Sequence, residues 1–176
     1  MYISKTKTYS NLISLTEVKQ DLKIHESDDS SNAELQRLIK VALTEAEKFT
    51  SIDIVPTVNT LEDYCIYGCW YELPEPSINI IGISAFTESN IMTVLTGYSL
   101  YKFNNFTHLK FNNSLNAHKL MIEYSAGYST LPDDIKHAIK LKIGEYFDVE
   151  KNGYIPTNLQ KSKSFERLLS PYILIA

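Results

Sequence analysis

The run KLMIEYSAGYSTLPDDIKHAIKLKIGEYFDVE, residues 119–150, constrains the fold more than any other part of the chain. Leu120, Ile122 and Tyr124 alternate with Met121, Glu123 and Ser125, the period of a strand buried on at least one face. Gly127 takes a positive φ without a Cβ clash, so the chain can turn there. Pro132 suits the first helical position, where its missing N–H is not needed. Asp133 and Asp134 follow in the first turn, where carboxylates oppose the helix dipole favourably. Ile135, Ala138, Ile139, Ile143, Tyr146 and Phe147 then form one apolar stripe, which predicts a helix over 132–149 with Asn152-Gly153 as its stop. Strand, turn and helix follow one another without a linker, and nothing in the run looks catalytic.

Upstream, residues 1–11 are polar and read as loose. Ser14-Leu-Thr-Glu17 is a capping box opening a short helix with Leu15, Val18 and Leu22 on one face, ending near Ile24. HESDDSS, residues 25–31, reads as a solvated acidic loop. A second capping box, Ser31-Asn-Ala-Glu34, opens a helix carrying Leu35, Leu38, Ile39, Ala42, Ala46 and Phe49 at spacings of three and four. Pro56 forbids it from running much further. The long helices are expected to bury Leu38, Ile39, Ala42, Phe49, Ile135, Ile139, Ile143 and Phe147 against each other.

Between 56 and 128 the character changes. Thr57–Tyr67 is rich in β-branched and aromatic residues and reads as one or two strands. Pro74 and Pro76 bracket a turn, Ile78–Phe86 reads as a buried strand, and Met92–Leu95 and Tyr98–Phe103 flank a hairpin turn at Thr96-Gly97. FNNFTHLKFNNS reads as a strand with asparagine-rich loops. At the end, TNLQKSKS (157–164) is a polar linker, and SFERLLSPYILIA (164–176) is an amphipathic turn, a proline and an apolar stretch. The expected fold is α+β: a small helical bundle of two N-terminal helices plus one long C-terminal helix, an inserted antiparallel β region and a C-terminal docking tail. The expected organisation is a single domain over 1–156, with helices at 12–50 and 131–152 and the β region at 56–128, followed by linker and docking segment at 157–176.

Few function classes fit the chemistry. Formal net charge is −4, against the basic excess of a protein that grips nucleic acid. There is no phosphate-cradling glycine loop, no HExxH and no GxSxG elbow. His25, His108, His118 and His137 are too scattered for a metal site, and Cys65 and Cys69 have neither zinc-site spacing nor a partner pair. Glu72 and Glu75 around ELPEP read as a solvated turn. The reading is therefore no catalytic residue, no cofactor and no metal. Lys136 and Lys140 fall on the polar side of the last long helix, whereas Lys142 falls in its apolar stripe and is expected either to snorkel or to meet a carboxylate on another chain. No apolar run approaches the roughly 20 residues of a membrane span, and the start lacks a signal-peptide core, so a cytoplasm-like compartment is expected. Twelve tyrosines stand against one tryptophan; tyrosine is enriched at protein interfaces, and equally on half-exposed strands.

Taken in order, these segments resemble the head–tail connector, or adaptor, proteins of tailed double-stranded DNA bacteriophages. The segments are LISLTEVKQDLKI (12–24), the acidic loop, NAELQRLIKVALTEAEKFTSIDIVP (32–56), YELPEPSINIIGISAF (71–86), IEYSAGYSTLPDDIKHAIKLKIGEYF (122–147) and LLSPY (168–172). The sequence departs from the pattern in having FDVEKNGY after the last long helix and ILIA after Pro171-Tyr172. The resemblance implies a non-enzymatic virion protein forming a ring, typically twelvefold, that joins the capsid portal to the tail and lets DNA pass. It implies as partners the chain itself, the portal protein and a tail or second connector protein, with no membrane. The location would be the head–tail junction of the virion, with assembly in the host cytoplasm. It also implies portal docking through Phe165, Leu168, Leu169, Pro171, Tyr172, Ile173, Leu174 and Ile175. A tail-completion or tail-terminator ring protein stays open as an alternative, as does, more remotely, a small nucleic-acid-binding module or enzyme.

Overall fold

A computed structural model describes residues 1–8, 12–73, 78–103, 106–152 and 163–174, without the side chains of 103 and 149–152. The chain divides into two compact units: a sheet unit of Met1–Thr8 and Val55–Gly127, and a helical unit of Tyr9–Ile54 and Tyr128–Ala176.

The sheet unit is built around one strand. In chain order its strands are β1 (Tyr2–Lys7), β2 (Thr57–Leu73), β3 (Ile78–Phe86), β4 (Met92–Val94), β5 (Tyr98–Phe103) and β6 (Phe106–Ala126). All pairings are antiparallel. β6 pairs with β2 from Thr57↔Ala126 to Leu73↔Thr107. On its other side β6 pairs first with β5 and then, through its C-terminal half, with β3. β1 and β4 extend the sheet at its two sides, giving the order β1-β2-β6-β3-β4 with β5 beside β6. The β2–β6 ladder slips between Gly68 and Trp70, and Gly68 has φ +111° where only glycine is at ease. Beyond that slip, β2, β6 and β5 continue as a three-stranded arm.

Alternation decides which side chains enter this unit's core. Leu61, Ile83, Leu120, Ile122 and Tyr124 join Leu73, Leu109 and Phe111 of the arm in one buried cluster. On β6 the buried set moves from odd positions (Leu109, Phe111, Ala117) to even ones (Leu120, Ile122, Tyr124). The change falls between Ala117 and Leu120, where β6 runs opposite Cys65, whose backbone is left-handed (φ 57°).

The helical unit contains α1 (Leu15–Asp21), α2 (Asn32–Thr50), α3 (Asp133–Asn152), α4 (Lys163–Leu169) and a 3-10 turn over Ser170–Tyr172. α1 starts with the expected capping box: Ser14 Oγ accepts from the Glu17 N–H and Glu17 Oε2 accepts from the Ser14 N–H, both at 3.2 Å. The second capping box is not formed. Ser31 has φ −100°, ψ 2° and makes no side-chain cap bond, while Asp29 Oδ1 accepts from the Asn32 side-chain amide at 2.6 Å. α2 ends on Ser51 in a left-handed conformation, φ 60°. Leu35, Leu38, Ala42, Leu43 and Ala46 of α2 and Ile135, Ala138, Ile139, Ile143 and Phe147 of α3 are buried. Ile39 and Phe49, also expected in this core, are only half-buried.

The expected helical bundle of two N-terminal helices and one long C-terminal helix, with an inserted β region and a docking tail, is therefore corrected. The architecture of the described residues is mixed α+β, with four α-helices and a six-stranded antiparallel sheet. Two misreadings account for the difference. Residues 2–7, read as loose, form β1 through a ladder with Glu62–Thr57; backbone pairing holds a polar strand whose only inward apolar residue is Ile3. Residues 163–169, read as the start of a tail, form α4, because Phe165 and Leu169 at i and i+4 are buried inside the helical unit.

Candidate functional site

The arm of the sheet carries a cationic–aromatic face. Register sets Trp70 opposite Lys110 and Lys110 opposite Ser99, then Glu72 opposite His108 and His108 opposite Tyr101. With side chains alternating, these six share one face, while Tyr71, Leu73, Leu109 and Phe111 point the other way into the core. Trp70 is 54% exposed and Tyr101 47%, with ring centroids 5.4 Å apart. The Lys110 ammonium stands 5.3 Å from the Trp70 ring centroid. Glu72 lies 3.9 Å from His108 Nδ1. Trp70, Tyr101, Lys102 and His108 line an open pocket of about 400 Å³.

A second row crosses the main sheet, where exposed Tyr64, half-buried Lys119 and Phe86, and exposed Met92 lie side by side on successive strands. Lys119 ion-pairs with Glu62 at 2.8 Å and stands over the Tyr64 and Phe86 rings at 6.0 and 5.4 Å. The Glu62 hydrogen bond holds its ammonium above the usual lysine range. Among the described residues, every large exposed apolar side chain except Val41 and Leu141 belongs to the sheet unit.

The eight C-terminal residues singled out from the sequence divide into two groups. Phe165 and Leu169 are buried in the helical unit, with the Phe165 ring 6.1 Å from that of Phe49. Leu168, Tyr172, Ile173 and Leu174 are half-buried, and Pro171 is exposed. The Leu174 N–H donates to the Thr50 carbonyl at 2.9 Å, which ties the segment to the end of α2. Ile175 lies outside the described residues, as does the linker at 157–162.

Lys136, Lys140 and Lys142 of α3 are engaged within the helical unit. Lys136 pairs with Glu17 and Lys140 with Asp21 at 2.8 Å, so α1 is clamped to α3 by two ion pairs one turn apart. The Lys136 hydrogen bond holds the Glu17 carboxyl below its usual range. Lys142 meets Glu45 and Glu145, each at 3.2 Å, so its carboxylates come from its own chain. Burial opposes its charge, but those two carboxylates keep its ammonium above the ordinary value. Tyr146 donates to Glu45 as well; burial and that bond push its phenol up to about 12.

Elsewhere the chemistry is sparse. No group of three metal-ligating side chains exists among the described residues, and none of their helices is long and apolar enough to cross a membrane. His137 and His25 are exposed, His118 packs edge-on to Tyr64, and Cys65 and Cys69 are free thiols. Glu72 sits on the arm face, and Glu75 lies outside the described residues. Sequence reasoning missed the arm face, although its signal was present: Trp70 and Tyr71 keep β2 aromatic beyond Tyr67, where the strand was expected to stop.

No protein-family model matches the chain, and no curated protein matches it. Solved structures do. A chain of the neck of an empty gene transfer agent (GTA) particle, computed with C6 symmetry, superposes at TM-score 0.80 with 14% identity, covering 100% of this chain and 97% of that one. The chain has the fold of that neck component. A chain of the native GTA virion matches at TM-score 0.77 and 15% identity, and a chain of the native GTA neck computed with C12 symmetry at 0.71 and 16%, both with the same coverage.

Proposed function

We propose that this chain is a structural, non-catalytic subunit of the neck of a tailed phage or phage-like particle. In this reading it forms a ring that joins the capsid portal to the tail and lets double-stranded DNA pass. The observation that carries the reading is the match over the full chain to neck chains, in assemblies computed with C6 and C12 symmetry. Rings of that order require heterologous contacts, in which each subunit offers two different patches. The exposed apolar face of the sheet unit supports one such patch. A net charge of −4 suits a conduit through which DNA slides without being held.

The portal contact is assigned to the C-terminal segment. Phe165 and Leu169 anchor the segment, and Leu168, Pro171, Tyr172, Ile173 and Leu174 present its remaining surface, with Ile175 continuing the apolar stretch. The tail-side partner is a tail or second connector protein. The chain works at the head–tail junction of the virion and assembles in the host cytoplasm.

Electron-microscopy class averages of the purified protein, alone and mixed with portal, test this function. Rings with a central opening, stacked on portal rings in the mixture, are expected. A closed two-fold dimer that ignores the portal would overturn it.

A further inference from the structure

We propose that the cationic–aromatic face of the arm receives the acidic 25–31 loop of a second copy of this chain. The inference rests on the ring reading and names the two patches that such a ring would join.

The arm face has the form of a receptor. Trp70 and Tyr101 give it apolar walls around the pocket, Lys110 gives it positive charge beside the Trp70 ring, and Lys102, from the outer strand β5, lines the same pocket. Glu72 is the one acidic side chain among the residues set on this face by register. Large aromatic rings left half exposed beside lysines are the composition of an interface centre with a charged rim.

The chain carries a complement of the right sign. Glu26, Asp28 and Asp29 are exposed in a loop that contains no large apolar side chain. The loop is held in shape from inside: Lys19, only 4% exposed, donates to the Glu26 carbonyl at 3.0 Å and reaches Asp29 Oδ1 at 3.4 Å. Asp28 Oδ1 accepts from the Ser30 N–H at 3.0 Å. A fixed loop loses little entropy on docking. The acidic loop is in the helical unit and the cationic face in the sheet unit, so the two are different patches, as a heterologous ring contact requires. Opposite charge across the contact favours the head-to-tail pairing over the face-to-face one, which would oppose lysines to lysines.

Trp70 is the only tryptophan, so its fluorescence reports the arm directly. Sedimentation velocity and tryptophan emission are followed against concentration for three proteins: wild type, Lys102→Glu/Lys110→Glu and Glu26→Lys/Asp28→Lys. All four positions are exposed, and circular dichroism checks the fold. Wild type should assemble with a blue-shifted Trp70 emission, less so as salt rises. Each variant alone should stay monomeric, and an equal mixture of the two should assemble, because every arm–loop contact in an alternating ring again joins opposite charges. If the reversed arm does not fold, Lys110→Gln must still weaken assembly. The proposal is overturned, with the ring reading intact, if the variants assemble alone as wild type does, if the mixture stays monomeric, or if assembly leaves Trp70 emission unchanged. Wild type that remains monomeric under all conditions, with and without portal, overturns the ring reading itself.

Discussion

The Lys142 ammonium on α3 stands 5.4 Å from the Phe165 ring centroid on α4 while its charge is shared between Glu45 and Glu145. One side chain thereby links α2, α3 and α4. It sits in the apolar stripe of its helix because its stem packs there and its charge finds carboxylates at the stripe's edge.

This cluster sets an alkaline limit on stability. Tyr146 is pushed up to about 12 and Lys142 lies above its ordinary value, so both hold their protons more tightly folded than unfolded. Raised folded values stabilise fully below the unfolded pKa and are lost as pH rises through the folded one. Urea unfolding should therefore show constant stability up to about pH 10 and a decline toward pH 12. Glu45→Gln should make that decline shallower without removing it, because burial also raises Tyr146, and burial with the Asp63 hydrogen bond raises Tyr71 in the sheet unit. An unchanged alkaline profile in the variant would remove Glu45 as its origin.

The C-terminal segment should contribute to folding as well as to docking. Phe165→Ala removes a buried ring and should cost about 3–5 kcal/mol. Truncation at Lys161 should lower the melting temperature for the same reason, since Phe165 and Leu169 leave together. Pro171→Ala, at an exposed position, should leave melting within about 0.5 kcal/mol of wild type. A truncated protein that melts like the full chain would show that α4 adds nothing to the helical unit.

Two serines in the same S-x-x-E pattern should behave differently. Ser14→Ala breaks a formed capping box and should cost about 1 kcal/mol, whereas Ser31→Ala removes no cap bond and should be close to neutral. Chemical denaturation of the two variants side by side decides it, and equal losses would contradict the cap assignment.

Gly127→Ala should be severe. Its φ is +91°, and an added Cβ would lie 2.4 Å from the Val55 carbonyl oxygen and 2.7 Å from its carbon. Left-handed strain and a backbone clash together should cost more than about 2 kcal/mol, read by thermal unfolding. Gly82→Ala, with nothing within 4 Å and no positive φ, is the control that should cost far less.

The elements with strong period and punctuation were legible in the sequence. Leu120, Ile122 and Tyr124 are buried as their alternation requires, and α3 runs Asp133–Asn152 behind Pro132 with its stripe inward. Ser14-Leu-Thr-Glu17 capped its helix as read, because both bonds of the box are local. The arm face was not legible, since it is assembled from β2, β5 and β6 by a register that no local signal states.

What the sequence by itself determined is everything that depends on neighbours along the chain: helix starts, the Gly127 turn, the apolar stripes, and the lack of any motif for catalysis. Tertiary structure alone decided the rest. β1 exists because β2 offers its polar residues a backbone ladder, and residues 163–169 become a helix because Phe165 and Leu169 are buried in the helical unit. In each case the stabilising partner is a backbone edge or a buried cavity supplied by another part of the chain, so the energy that fixes the local structure is not encoded at the position where it acts.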